Sequence, residues 1–251
     1  MKPLRRVCIK NEQEVFVMFY PMYFDPTYIL VIVGVVICLW ASARVKTTYN
    51  KYSRVRNRSG MTGKDAAERI LHGAGIYDVR IDHISGNLTD NYDPRNKVLH
   101  LSDTVYNSPS VAAVGVAAHE CGHAIQHATG YAPLKIRAGL VPIANLGSTI
   151  AWPLILIGLI FNSNQSALFL NIGILAFSAA VLFQLVTLPV EFNASGRAVR
   201  ILGETNMLDS EELKNTRKVL SAAALTYVAG AASSILQLLR IILLTGGRRN
   251  D

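Results

Sequence analysis

His119-Glu120-Cys121-Gly122-His123 sets two imidazoles four residues apart with a carboxylate between them. On a helix, positions i and i+4 share a face about one turn apart, so both rings can reach a single zinc ion. Glu120 follows the first histidine and is rotated from it by about 100°. It can therefore stand beside the metal and take a proton from water activated there, which is the chemistry of an HExxH hydrolase. The stretch leading in, Val111 to Ala118, is wholly apolar and small and buries the helix. Two histidines and a glutamate in such surroundings are costly without a metal. The plain alternative, surface histidines on an amphipathic helix, fits that flank poorly.

Catalytic zinc takes three protein ligands and keeps one position for water. His127 lies on the stripe of His123 but another turn along, about 5.4 Å further. Three in-line turns do not converge on one ion, so His127 is expected to support a ligand, pack, or face substrate. His72, His83 and His100 are isolated. Glu191 is different: it is the first charge after Ala138–Val190, 53 consecutive residues without Asp, Glu, Lys, Arg or His. A hairpin that leaves and re-enters on one side returns Glu191 to the level of residues 119–123 and makes it the expected third ligand. The alternative is a carboxylate capping a span at the membrane edge.

The elements that must position these groups follow from composition. The chain has 251 residues, a formal charge of +8, 51 % apolar side chains and mean hydropathy +0.28. A bilayer span needs only about 20 predominantly apolar residues, so the uncharged run excludes an ordinary soluble globule, and apolar content excludes disorder. With roughly 80 residues given to spans, one small polar domain remains. The basic excess flanks apolar runs and lacks interleaved aromatics, so lipid headgroups suit it better than nucleic acid. Cys8, Cys38 and Cys121 have no CxxC spacing and read as small apolar fillers.

The fold class expected is an α-helical multi-pass membrane protein with a small α+β catalytic domain. Residues 1–26 form an N-terminal extension with an interfacial aromatic cluster (Phe16, Phe19, Tyr20, Tyr23, Phe24), and 1–17 differ enough to suggest a true start at Met18. A transmembrane helix covers 27–43 and the catalytic domain 44–140. A hairpin at 141–190 divides at Asn162–Ser166 into arms of about 141–161 and 168–189. Residues 191–218 carry the third ligand, and 219–245 make a transmembrane or membrane-associated helix rich in Ala, Ser and Gly, which lets helices approach closely. Arg44, Lys46, Lys51, Arg54, Arg56 and Arg58 place residues 44–140 in the cytoplasm by the positive-inside rule, although Lys2, Arg5, Arg6, Lys10, Arg248 and Arg249 oppose it. Within the domain, Thr62-Gly-Lys-Asp65 reads as a capping box for a helix closed by Gly73 or Gly75. Tyr77–Ile84 alternates as a strand with Val79, Ile81 and His83 on one face, Asn91–Pro94 is a turn, and Lys97–Leu101 is a second strand. Ser108-Pro109 opens the HExxH helix, which runs to Gly130.

The segments 19–34, 59–71, 86–127 and 188–198 resemble the bacterial neutral zinc metallopeptidases of the YugP type; more distantly the layout is similar to the HtpX and CAAX-prenyl membrane proteases. The resemblance implies a zincin-like domain, one zinc per chain held by His119, His123 and Glu191, and Glu120 as the catalytic base. It also implies that the strand around Val98–Leu101 is an edge that pairs with an extended substrate. Two positions depart from the pattern. Ser195 stands where the distant relatives place an Asp that buttresses a zinc histidine, and Asn193 stands where the YugP type has Asp.

The expected activity is zinc-dependent endopeptidase cleavage of membrane-associated proteins or peptides at the cell membrane, with Arg197, His127 and Tyr227 as candidates to stabilise the oxyanion. A zinc-binding scaffold or chaperone without turnover is the rival from another class, but holding zinc would need only the ligands and not Glu120. A small transporter fits least, since the hairpin carries no ionisable residue.

Overall fold

The computed structural model describes residues 25–160 and 166–246. The aromatic cluster Phe16–Phe24, Cys8, the Met18 start, Arg248, Arg249 and all of the hairpin turn except Ser166 lie outside the described residues. Among the described residues six helices and three strands follow in order: α1 (Tyr28–Tyr52), α2 (Gly63–Gly73), β1 (Arg80–Ile84), β2 (Asn91–Asp93), β3 (Val98–Ser102), α3 (Val111–Ala128), α4 (Ala132–Ile160), α5 (Ser166–Glu204) and α6 (Ser210–Gly246).

Helices α1, α4, α5 and α6 are long and apolar enough to cross a membrane. Their outward residues are those that water would reject: Leu39 is 65 % exposed, Leu146 63 % and Leu175 73 %. Lipid is the solvent such surfaces suit. The helices overrun the expected spans. α1 continues nine residues past Ala43, α4 begins before residue 141, and α5 passes through 190 without a break, so 191–218 is not a separate helix. Pro142, Pro153 and Pro189 sit inside helices rather than ending them. Apolar flanks offer the freed carbonyls no water, and packing against neighbours holds the helix through each proline. α4 and α5 run antiparallel at close range, with a Cβ on Gly147 only 2.5 Å from the Ala176 carbonyl and one on Gly173 2.7 Å from Ile155.

The polar body is built as its local signals dictate. The Thr62 hydroxyl accepts from the Asp65 N–H at 3.2 Å while Asp65 accepts from the Thr62 N–H at 2.9 Å, completing the capping box of α2. The sheet has the order β1-β3-β2, with β1 parallel and β2 antiparallel to β3. Four expectations change here. Asn91–Asp93 is a strand rather than a turn, pairing Tyr92 with Leu99, and the turn follows it. β3 is consequently central, so the strand at Val98–Leu101 is not a free edge. His83 turns outward, where its Nε2 lies 2.7 Å from Asp103 Oδ1; an imidazole with a carboxylate beside it has no reason to enter the core. The HExxH helix is capped by Ser110, not Ser108: the Ser110 hydroxyl accepts from the Ala113 N–H, while the Pro109 carbonyl is taken by Asn57.

One core joins α2, the sheet, α3 and the aqueous ends of α5 and α6, with Ile70, Leu71, Leu99, Leu101, Val114, Ala118 and Leu202 almost fully buried. Burying each large side chain contributes about 1.5–3 kcal/mol. Cys121 belongs to this core, and burial pushes its thiol far above the ordinary range, which leaves it inert. The α3–α5 crossing is closest at Gly122. A Cβ there would meet the Ala194 carbonyl oxygen at 2.7 Å and its Cα at 3.0 Å. Backbone cannot step aside as a side chain can. Gly122→Ala is therefore expected to force the two helices apart at a cost of about 1–3 kcal/mol, read as a lowered melting temperature in detergent. An unchanged melting curve would contradict the close crossing.

Candidate metal centre

α3 presents His119 and His123 one turn apart, their rings 4.8 Å between centroids and nearly perpendicular at 86°. α5 crosses over Gly122 and brings Glu191 to them. The Glu191 Oε2 atom lies 3.3 Å from His119 Nε2 and 3.5 Å from His123 Nε2. One ligand atom from each of the three residues falls within 4.8 Å of the others. Among the described residues this is the grouping of His, Cys, Asp and Glu that could hold a metal ion.

The donor set can be tested against zinc on its own geometry. Glu191 is 2 % exposed, and its Oε2 is buried with no hydrogen-bond partner among the described residues. The contacts at 3.3 and 3.5 Å are long for hydrogen bonds. They match instead the separation of about 3.4 Å between two ligands that each stand about 2.1 Å from a tetrahedral ion. Arg137 approaches only the other oxygen, Oε1, at 3.7 Å, so Oε2 is the oxygen left for a cation between the two rings. The residues fit zinc.

Both rings are held from behind. Gln126 donates through Nε2 to the Val190 carbonyl at 2.8 Å and to Asn193 Oδ1 at 3.0 Å. Its oxygen is therefore the acceptor facing His123 Nδ1 at 3.0 Å, which puts the proton on Nδ1 and the lone pair on Nε2. Ser195 Oγ sits 3.0 Å from His119 Nδ1, behind the other ring. Asn193, in place of a charged residue, accepts from both Gln126 and Arg197. Two donors on one oxygen suit a neutral amide and need no carboxylate.

Glu120 is part-buried beside the pair. Burial raises its carboxyl above the ordinary range, while His119 and His123 pull it back down. Of the three oxyanion candidates, Tyr227 lies in electrostatic range of Glu191 and Glu120. Arg197 is committed to Asn193 and to the face of Tyr131, and the Nδ1 of His127 lies 3.0 Å from the Tyr92 hydroxyl. The closest guanidinium to the cluster is instead Arg137, with its terminal nitrogen 3.7 Å from Glu191 Oε1. Arg137 had a signal in the sequence that went unread: it is the last charge before the 53-residue run, as Glu191 is the first after it. Gln126 had a weaker one, an amide three residues beyond His123 and so on the helix face that carries both histidines.

Residues 27–246 match the family model described as "Putative neutral zinc metallopeptidase". The chain belongs to this family. Over 222 residues it is 45 % identical to the "Putative membrane protease YugP" of Bacillus subtilis (strain 168), the match covering 88 % of this chain and 97 % of that protein. No solved structure matches it. Family, relative and the four apolar helices together carry the zinc, peptidase and membrane assignments.

Proposed function

We propose that this chain is a membrane-embedded zinc endopeptidase of zincin-like build, in which His119, His123 and Glu191 hold one zinc ion and Glu120 is the general base. The observation that carries the reading is the convergence of two imidazole Nε2 atoms on one buried, otherwise unpartnered carboxylate oxygen. Zinc bound by such a set supplies a Lewis acid and brings the pKa of water down to about 7.

The remaining steps belong to the protein. Glu120 takes the proton of the attacking water as it adds to the scissile carbonyl, then returns it to the leaving amine. Gln126 and Ser195 keep each imidazole in the tautomer and orientation that a ligand needs. Arg137 compensates the carboxylate of Glu191. Tyr227 and Arg137, both in range of Glu191, are the donors assigned to charge developing on the carbonyl oxygen. Of the two edge strands, β1 and β2, it is β2 that lies beside the HExxH helix, through Tyr92 and His127, and is the one offered to an extended substrate. Substrates are taken to be membrane proteins or membrane-bound peptides, because the centre lies where apolar helices pass into the polar body. The basic run from Arg44 to Arg58 supports a cytoplasmic position for that body.

Metal removal tests the reading. Treating the purified chain in detergent with 1,10-phenanthroline is expected to abolish cleavage of casein, and added zinc to restore it. Cleavage that persists in metal-stripped protein would overturn the proposal. Zinc uptake with no cleavage of any membrane substrate tried would favour the scaffold reading.

A further inference from the structure

A concave site lies between α6 and α1. Its volume is about 510 Å³, and its walls carry Arg44 and Lys51 from α1 and Arg217 and Lys218 from α6. No acidic side chain lines it. Among the described residues, no carboxylate stands in ion-pair range of any of the four cations. Lys51 and Lys218, 167 positions apart in sequence, place their ammonium groups 5.4 and 5.6 Å from the centroid of one ring, that of Tyr52. Tyr52 is itself fixed, 6 % exposed and packed with Tyr49, Val111, Ala112 and Val219. Positive charges gathered on a rigid platform repel one another, and an anion relieves that repulsion.

The level of the notch says which anion. Arg44 is the first charge after the apolar stretch of α1, and Lys218 is the last before the uncharged stretch 219–239 of α6. The cations therefore stand where an apolar helix pair emerges from lipid, with Trp40 exposed one turn below Arg44. Thr47 and Thr48 add hydroxyls to the same wall. Basic pockets between apolar helices at this depth suit phosphate headgroups whose tails lie along the helices. We propose that the α1–α6 notch binds the headgroup of an anionic phospholipid. The site is separate from the metal centre and stands whether or not the chain cleaves peptides.

Native mass spectrometry of the full chain in detergent, titrated with phosphatidylglycerol or phosphatidylcholine, tests it. The wild type is expected to retain phosphatidylglycerol selectively. Each basic residue at such a surface is worth about fivefold in binding, so changing Arg44, Lys51, Arg217 and Lys218 to Gln should weaken retention by on the order of 100-fold or more. The double variant Lys51→Gln/Lys218→Gln, which is less exposed to misfolding, should weaken it by about 25-fold on the same scale. Changing Lys46, Arg54, Arg69 and Arg95 to Gln removes equal charge elsewhere and should leave retention near wild type. Equal loss in that control set, or unchanged retention in the notch variants, would overturn the site. Displacement of the lipid by inorganic phosphate at the same concentration would overturn the assignment to a lipid.

Discussion

Glu120→Gln is expected to lower peptide cleavage by about 10²–10⁴-fold while zinc content stays at the wild-type level. The size is that of a lost general base. Zinc should stay because the cluster that could hold it comprises His119, His123 and Glu191, and Glu120 is not among them. Glutamine keeps the shape and removes the proton acceptor. Folding should survive as well, since Glu120 makes no ion pair within the described residues and its burial opposes the charge that the substitution deletes. Paired measurement of zinc by atomic spectroscopy and of casein cleavage decides the matter. Loss of both together would make Glu120 a ligand or a folding determinant, and cleavage retained at wild-type rate would remove it from the reaction.

Glu191→Ala is the second large effect, and it should fall on the metal itself. Two imidazoles alone are a poor tetrahedral site, and Arg137 would be left facing the cavity with no carboxylate opposite. Zinc affinity is expected to fall by more than the 10–100-fold typical when a supporting hydrogen bond is lost. Ser195→Ala provides that smaller benchmark, since Ser195 touches only the back of the His119 ring. Competition with a fluorescent chelator measures both. A Glu191→Ala protein that holds zinc as tightly as Ser195→Ala would show that the carboxylate is no ligand.

Much of this geometry was legible beforehand because it depends on spacing. HExxH on a small, apolar helix specifies two adjacent imidazoles. The uncharged run marks two apolar arms, and the charges that flank it, Arg137 and Glu191, come within 3.7 Å of each other. Thr62 and Asp65 satisfied their own backbone donors and so announced α2 locally. What was missed depends on partners remote in sequence. Asn91-Tyr-Asp reads as turn chemistry until β3 is laid beside it, and only then is β3 seen to be central. Gln126 reads as an incidental amide until Val190 and Asn193 arrive from α5 to fix its orientation. Helix ends were misjudged wherever charge was taken as a boundary, for α5 carries straight from apolar to polar surroundings with Glu191 inside it.

That unbroken 39-residue helix has a practical consequence. The carboxylate rides on the same rigid rod as the lipid-facing arm, and Gly122 binds the rod to the histidine helix by backbone contact. Trimming away the greasy arms to make a water-soluble fragment would thus discard the means of aiming the acid. One piece of chain carries both the apolar arm and the acid that faces the two histidines, so the two cannot be engineered apart.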